Sequence, residues 1–325
     1  MTQYFNSKEN LQLENGKQLQ QFTVAYHTYG NYVKGKSKVI WVCHALTANS
    51  DVADWWANIF GKNKILDAEK YFIVCANMLG SCYGTTSPIT INNIAHKKYG
   101  KAFPYITIRD IVAANIVLKK FLEIDDIFLL IGGSMGGQQA QEWAIKEPES
   151  IKNLVLLATN AKHSAWGIAF NETQRMALEC TVDGLEVARA IAMLSYRNYE
   201  MYERTAKPNE TLDNYGASSY QRHQGEKLAL RFDAECYHTL SKAMDSHNVG
   251  RGKKNIDEAL KLITANTLVI GIASDILFPI KEQILLHEKI PNATFELIDS
   301  PYGHDGFLTE REKINNIVLN FLKNK

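Results

Sequence analysis

Several broad classes of protein are excluded by what this 325-residue sequence lacks. Charge of one sign is missing: 36 Lys and Arg stand against 35 Asp and Glu, for a formal net charge of +1. That balance creates no field to hold nucleic acid or an anionic membrane surface, so neither is expected as a partner. Cysteine is scarce. Cys43, Cys75, Cys82, Cys180 and Cys236 include no CxxC pair, and an odd number cannot all be bridged. A disulfide framework is therefore excluded, and a reducing, cytoplasmic setting is expected. No stretch approaches the ~18 uninterrupted apolar residues that cross a bilayer, and residues 1–10 lack the apolar centre of a signal peptide. Repeats, low-complexity tracts and charge blocks are also missing. HExxH and clustered Cys/His spacings are absent, so neither a metal nor a resident cofactor is expected. What remains is a chain 46% hydrophobic and 22% charged, the composition of a globular enzyme with a large core.

Short apolar runs rich in Val, Ile and Phe occur at 39–43, 71–76, 127–131, 154–158, 267–272 and 294–298. They show no polar alternation, as strands buried on both faces should not, which points to a parallel sheet. Helical spacing links Ile111, Ala114, Leu118, Phe121 and Leu122, and an amphipathic stretch at 310–323 closes the chain. Alternating strands and helices imply an α/β layered fold. The alternation stops after Ala158 and resumes at Thr267, a gap too long for a loop. Helix-forming segments fill it at 173–180, 184–196 and 227–244, with a polar break at 207–219. The expected organisation is a core of residues 1–159 and 265–325, with an inserted helical cap at 160–264 over the sheet edge where such folds bind ligands.

The segment Gly132-Gly133-Ser134-Met135-Gly136 follows one of these strands and opens a helical run at 138–146. This is GxSxG between a strand and a helix, the context that marks a nucleophilic serine in an α/β-hydrolase fold. A serine on so sharp a turn has strained backbone, and a side chain at Gly132 or Gly136 would strike neighbouring chain. Phosphate-binding loops fit less well: Ser134 occupies the place of the second glycine in GxGxxG, and GK[ST] is absent.

Serine needs a base, and the base an orienting acid. In this fold they follow in the order acid then histidine, each after a strand. Asp275 lies three residues beyond the strand ending at Ile272, and His304 follows the strand ending at Ile298. His287, the other histidine after Asp275, falls inside a helical run at 280–289. The backbone N–H groups of Leu46, just after the strand at 39–43, and of Met135 are the candidate oxyanion donors.

The blocks His44-Ala45-Leu46-Thr47, Asn77 to Thr86, Gly132 to Gly137, Leu194-Ser195-Tyr196-Arg197, Arg231-Phe232-Asp233-Ala234, His247 to Gly252 and Gly303-His304-Asp305 run in order across nearly the whole chain. Together they resemble the homoserine O-acetyltransferases of methionine biosynthesis. The resemblance implies acetyl transfer from acetyl-CoA, a co-substrate, to the hydroxyl of L-homoserine through an acetyl-Ser134 intermediate. It assigns the homoserine carboxylate to Arg189, the ammonium to Asp305 and a pocket-lining place to Tyr196, and it suggests a homodimer. Succinyl-using relatives commonly carry an arginine two residues after the acid; Leu277 stands there, which favours acetyl. A serine O-acyltransferase, a homoserine O-succinyltransferase or a serine esterase on the same scaffold are the alternatives. Arg251, Lys253 and Lys254 form a small basic cluster, open either to the CoA phosphates or to solvent.

Overall fold

A computed structural model of the protein describes residues 1–92, 95–180, 182–206 and 212–323. Eight strands form the main sheet: β1 (Gln3–Asn6), β2 (Thr23–Tyr29), β3 (Val39–Cys43), β4 (Phe72–Ala76), β5 (Ile127–Gly133), β6 (Ile151–Leu157), β7 (Asn266–Ile272) and β8 (Ala293–Ile298). Their order across the sheet is β1-β2-β4-β3-β5-β6-β7-β8. β1 and β2 pair antiparallel, as do β2 and β4. From β4 to β8 every pairing is parallel. The loops leaving β3, β5, β7 and β8 therefore emerge at one edge, the edge where open α/β sheets carry their ligands.

The apolar runs lack alternation because both sheet faces are covered. Val39, Trp41 and Cys43 of β3 enter one core, with Ile40 and Val42 in the other. The first core takes in α1 (Ile108–Phe121), α2 (Met135–Lys146) and α8 (Ile280–Lys289); the second is closed by α9 (Arg311–Lys323). The sheet margins depart from the sequence reading in two ways. β8 is an edge strand with Glu296 and Leu297 exposed, so its run of apolar residues does not signify burial on both faces. β1 and β2 were not expected at all: β1 is a mostly exposed edge strand, and in β2 Thr, Tyr and His interrupt the apolar residues even though Val24 to His27 are buried.

Between β6 and β7 lie α3 (Ala165–Cys180), α4 (Gly184–Tyr196), α5 (Tyr199–Thr205), α6 (Gly216–Ala229) and α7 (Ala234–Asp245). The single helical stretch expected at 227–244 is divided. Asp233 caps α7 by accepting the Cys236 amide at 3.0 Å, and Phe232 turns into the core, so the chain changes direction at 230–233. In the expected polar break, 216–219 is already the first turn of α6, and 207–211 lies outside the described residues.

Candidate active site

Ser134 sits between β5 and α2 with φ of 56° and ψ of −126°, a backbone conformation that costs on the order of 1–3 kcal/mol and persists only where its surroundings impose it. The surroundings do so at close range. A Cβ at Gly132 would fall 2.2 Å from the Gly136 carbonyl oxygen, and one at Gly136 would fall 2.1 Å from that of Cys43. β6 holds the turn from its other side: the Ser134 amide donates to Leu157 O at 2.9 Å, and the Thr159 hydroxyl donates to Ser134 O at 2.8 Å.

Asp275 and His304 are brought together by the ends of β7 and β8. His304 Nδ1 lies 2.7 Å from Asp275 Oδ2. The other carboxylate oxygen, Oδ1, accepts the amides of Leu277 and Phe278, each at 2.8 Å. A carboxylate held at both oxygens is fixed in place, and an acceptor at Nδ1 leaves Nε2 facing away from it as the free ring nitrogen. Rings enclose the imidazole. Phe278 stacks on it at 4.9 Å between centroids, Phe307 lies at 5.2 Å and Tyr196 at 5.8 Å. Phe307 also joins His304 to the serine turn, since a Cβ at Gly133 would meet its ring at 2.5 Å. His287 lies within α8, apart from this pair.

Leu46 lies three residues beyond β3, whose end packs on the serine turn at Gly136, and Met135 is the first residue of α2. Neither backbone amide donates to an acceptor among the described residues, although both residues are buried. Two backbone amides without an acceptor are the kind of donor an oxyanion site requires. The turn carrying Leu46 is gripped from the segment between α6 and α7: Arg231 donates to Thr47 O and to the Tyr83 hydroxyl, each at 2.6 Å.

Arg189 and Tyr196 lie on α4, with the guanidinium carbon 5.3 Å from the Tyr196 ring centroid. Arg189 has no ion pair among the described residues, which leaves a half-buried cation beside the site. Asp305 is differently placed. Its carboxylate stands 2.8 Å from Nε of Arg197, a residue given no role in the sequence reading. The signal was available, since Arg197 follows Tyr196 directly, but only the seating of the end of α4 on Gly303 shows the contact. Gly303 has φ of 62°, and a Cβ there would fall 2.9 Å from Tyr196 O. In the basic cluster, Glu14 holds the Arg251 guanidinium at two nitrogens, at 2.8 and 2.9 Å, while Lys253 and Lys254 lie exposed. Among the described residues no group of three or more metal-ligating side chains occurs.

Comparison with known proteins agrees with this geometry. Residues 38–311 match the family model of the α/β-hydrolase fold. The homoserine O-acetyltransferase of Cyclobacterium marinum is 44% identical over 99% of this chain and 95% of its own length. The chain belongs to the homoserine O-acetyltransferase family. The crystal structure of the Staphylococcus aureus member superposes with a TM-score of 0.85 at 30% identity, covering 99% of this chain and 95% of that one. Esterase E22 superposes with a TM-score of 0.89 at 22% identity, over 99% of both chains. At that identity the likeness is one of fold, and acyltransferases and esterases share it.

Proposed function

We propose that the protein moves the acetyl group of acetyl-CoA to the hydroxyl of L-homoserine through an acetyl-Ser134 intermediate. The observation that carries this reading is the 2.7 Å Asp275 to His304 contact, set beside an elbow serine in a chain of this family. His304 Nε2 takes the Ser134 proton as Oγ attacks the thioester carbonyl. The C–S bond then breaks, and the proton leaves with the CoA sulfur. In the second half His304 takes the homoserine hydroxyl proton, the new ester bond forms as the bond from the acetyl carbon to Ser134 Oγ breaks, and the proton returns to Ser134 Oγ. The amides of Leu46 and Met135 hold the negative oxygen in both halves.

Homoserine carries one carboxylate and one ammonium. Arg189, without an ion pair, receives the carboxylate in a fork. Asp305 receives the ammonium, displacing the cation of Arg197 that neutralises it in the free enzyme. Tyr196 floors the same pocket under Arg189. Leu277 points to acetyl rather than succinyl as the acyl group: its side chain is buried and offers no partner to a second carboxylate. The helices at 160–264 act as a cap that excludes competing water. Five free thiols and an acetyl-CoA substrate fit a cytoplasmic protein, and among the described residues no helix is long and apolar enough to cross a membrane. Val187 and Leu194 lie exposed, two turns apart on α4, and give the cap an apolar face for a homodimer.

Incubation with acetyl-CoA, with and without homoserine, tests the reaction. Thiol release that depends on homoserine, with an acetyl adduct on Ser134 in its absence, supports it. Equal release in both cases would make the protein a hydrolase. Crossing homoserine and serine with acetyl- and succinyl-CoA fixes donor and acceptor, and sedimentation of the wild type reads the dimer.

A further inference from the structure

One fully enclosed side chain has no part in these steps: His44, the residue after β3. Its ring meets two backbone groups. Nε2 is 3.1 Å from the Met78 amide nitrogen, and Nδ1 is 2.9 Å from the Ala45 carbonyl oxygen. An amide only donates and a carbonyl only accepts, so both contacts are satisfied by a single form, the neutral imidazole with its proton on Nδ1. Burial pushes the His44 pKa down to about 4, against the upward pull of the Ala45 carbonyl, so this form holds at neutral pH. The backbone of His44 is pinned as well, since the Gln139 side chain donates to its carbonyl at 3.1 Å.

The Ala45 carbonyl and the Leu46 N–H belong to one peptide plane and point in opposite directions across a trans bond. His44 Nδ1–H holds the carbonyl at one end, aided by the Ala48 amide at 3.0 Å. We infer that His44 is a positioning residue: by holding the Ala45 carbonyl, it turns the Leu46 N–H toward the oxyanion formed on Ser134. The inference rests on the acyl-enzyme reading above. A histidine that merely filled the core would contribute through both contacts alike, whereas orientation of Leu46 runs through Nδ1 alone.

Two substitutions separate the contacts. In His44→Asn the side-chain amide replaces Nδ1–H and keeps the bond to Ala45. In His44→Gln the side-chain oxygen replaces Nε2 and keeps the bond to Met78. With 4-nitrophenyl acetate as acyl donor, His44→Gln is expected to lower kcat by about tenfold or more, toward the ~10²-fold cost of losing one oxyanion donor, with KM little changed. His44→Asn retains most of kcat. The rate ratio between this ester and its thiono analogue adds a measure independent of how much protein is folded. Sulfur accepts hydrogen bonds poorly, so an aligned N–H favours the oxygen ester; the ratio falls in His44→Gln and holds in His44→Asn. Equal losses in the two variants, an effect on KM alone, or an unchanged ratio in His44→Gln overturns the inference. A wild type that never acetylates Ser134 overturns the underlying reading, and this inference with it.

Discussion

A reactive serine has to stand where an ordinary chain would not put it, and here three glycines make that possible. Gly132 and Gly136 let the elbow close on itself and on β3, and Gly133 admits the Phe307 ring. Because the obstacles at Gly132 and Gly136 are backbone carbonyls rather than flexible side chains, the clash has little way to relax. Gly136→Ala is expected to cost about 3 kcal/mol or more, measured by urea denaturation, and to lower acetylation of Ser134 in the fraction that folds. The acid is equally specific. Asp275→Asn preserves an oxygen for the Leu277 and Phe278 amides but turns an N–H₂ toward His304 Nδ1, which favours the wrong tautomer. By analogy with serine proteases kcat falls about 10⁴-fold with the fold intact; a loss below tenfold would show that Asp275 does not orient the base. Asp305→Asn should instead raise the KM for homoserine while leaving the first half-reaction, acetylation of Ser134 by acetyl-CoA, largely in place. Equal loss in both half-reactions would assign Asp305 to the triad.

At the level of elements, the site is assembled by chain segments that meet only in the fold. The end of α4 rests on Gly303 and so places Arg197 against Asp305. The segment between α6 and α7 sends Arg231 to the turn that carries Leu46. Arg231 is exposed, so its removal costs little stability, under about 1 kcal/mol. Its effect is expected instead on the coupling of the helices at 160–264 with the turn that carries Leu46. Arg231→Met is expected to slow acetyl transfer severalfold and to raise the fraction of acetyl-CoA lost to water, seen as thiol release without homoserine. An unchanged fraction would mean that the two hydrogen bonds do no more than decorate the surface.

Across the whole molecule, a charge network centred on Arg109 joins distant segments of the chain. Arg109 of α1 contacts Glu142 of α2 at 2.9 Å, Glu14 at 3.0 Å and the carbonyls of Asn248, Val249 and Arg251. It ties the N-terminal segment, two core helices and the return from the cap helices to the sheet. Removing Arg109 leaves Glu142 buried without its cation, a change worth about 3–5 kcal/mol. The sign with pH follows from Glu142. Burial raises its pKa above the ordinary 4.5, against the pull of Arg109, and its charge is lost as the pH falls through that raised value. Arg109→Met is therefore most destabilising near neutral pH, and its penalty shrinks on acidification. Glu14 is shifted the other way, yet its contribution too is lost on acidification. Burial pushes its pKa up, but hydrogen bonds from Arg251 and Thr107 and the charges of Arg251 and Arg109 leave it below 4.5; its contribution is complete above that pH and is lost as the pH drops through the lowered value. Thermal midpoints of both proteins between pH 7 and pH 4 check these signs, and a penalty that grows toward low pH would contradict the account.

The covered strands, the glycine-framed turn at Ser134 and the meeting of Asp275 with His304 were legible because each depends on residue type within a few positions: apolar runs, glycines at a strained turn, a histidine just past a strand. Such signals are local, and the physics behind them is local too. The solvated edge strands, the break at Asp233, the ion pair of Arg197 with Asp305 and the loss of Arg251 to Glu14 were not legible. Each depends on what stands opposite in space, and contacts such as Arg251 with Glu14 join residues 237 positions apart. The order of residues by itself determined that this chain can place a strained serine at the edge of a parallel sheet. Only the tertiary structure decided which charges meet beside that serine, because the attraction between two ions depends on their separation in space and on the water excluded around them, and neither is written along the chain.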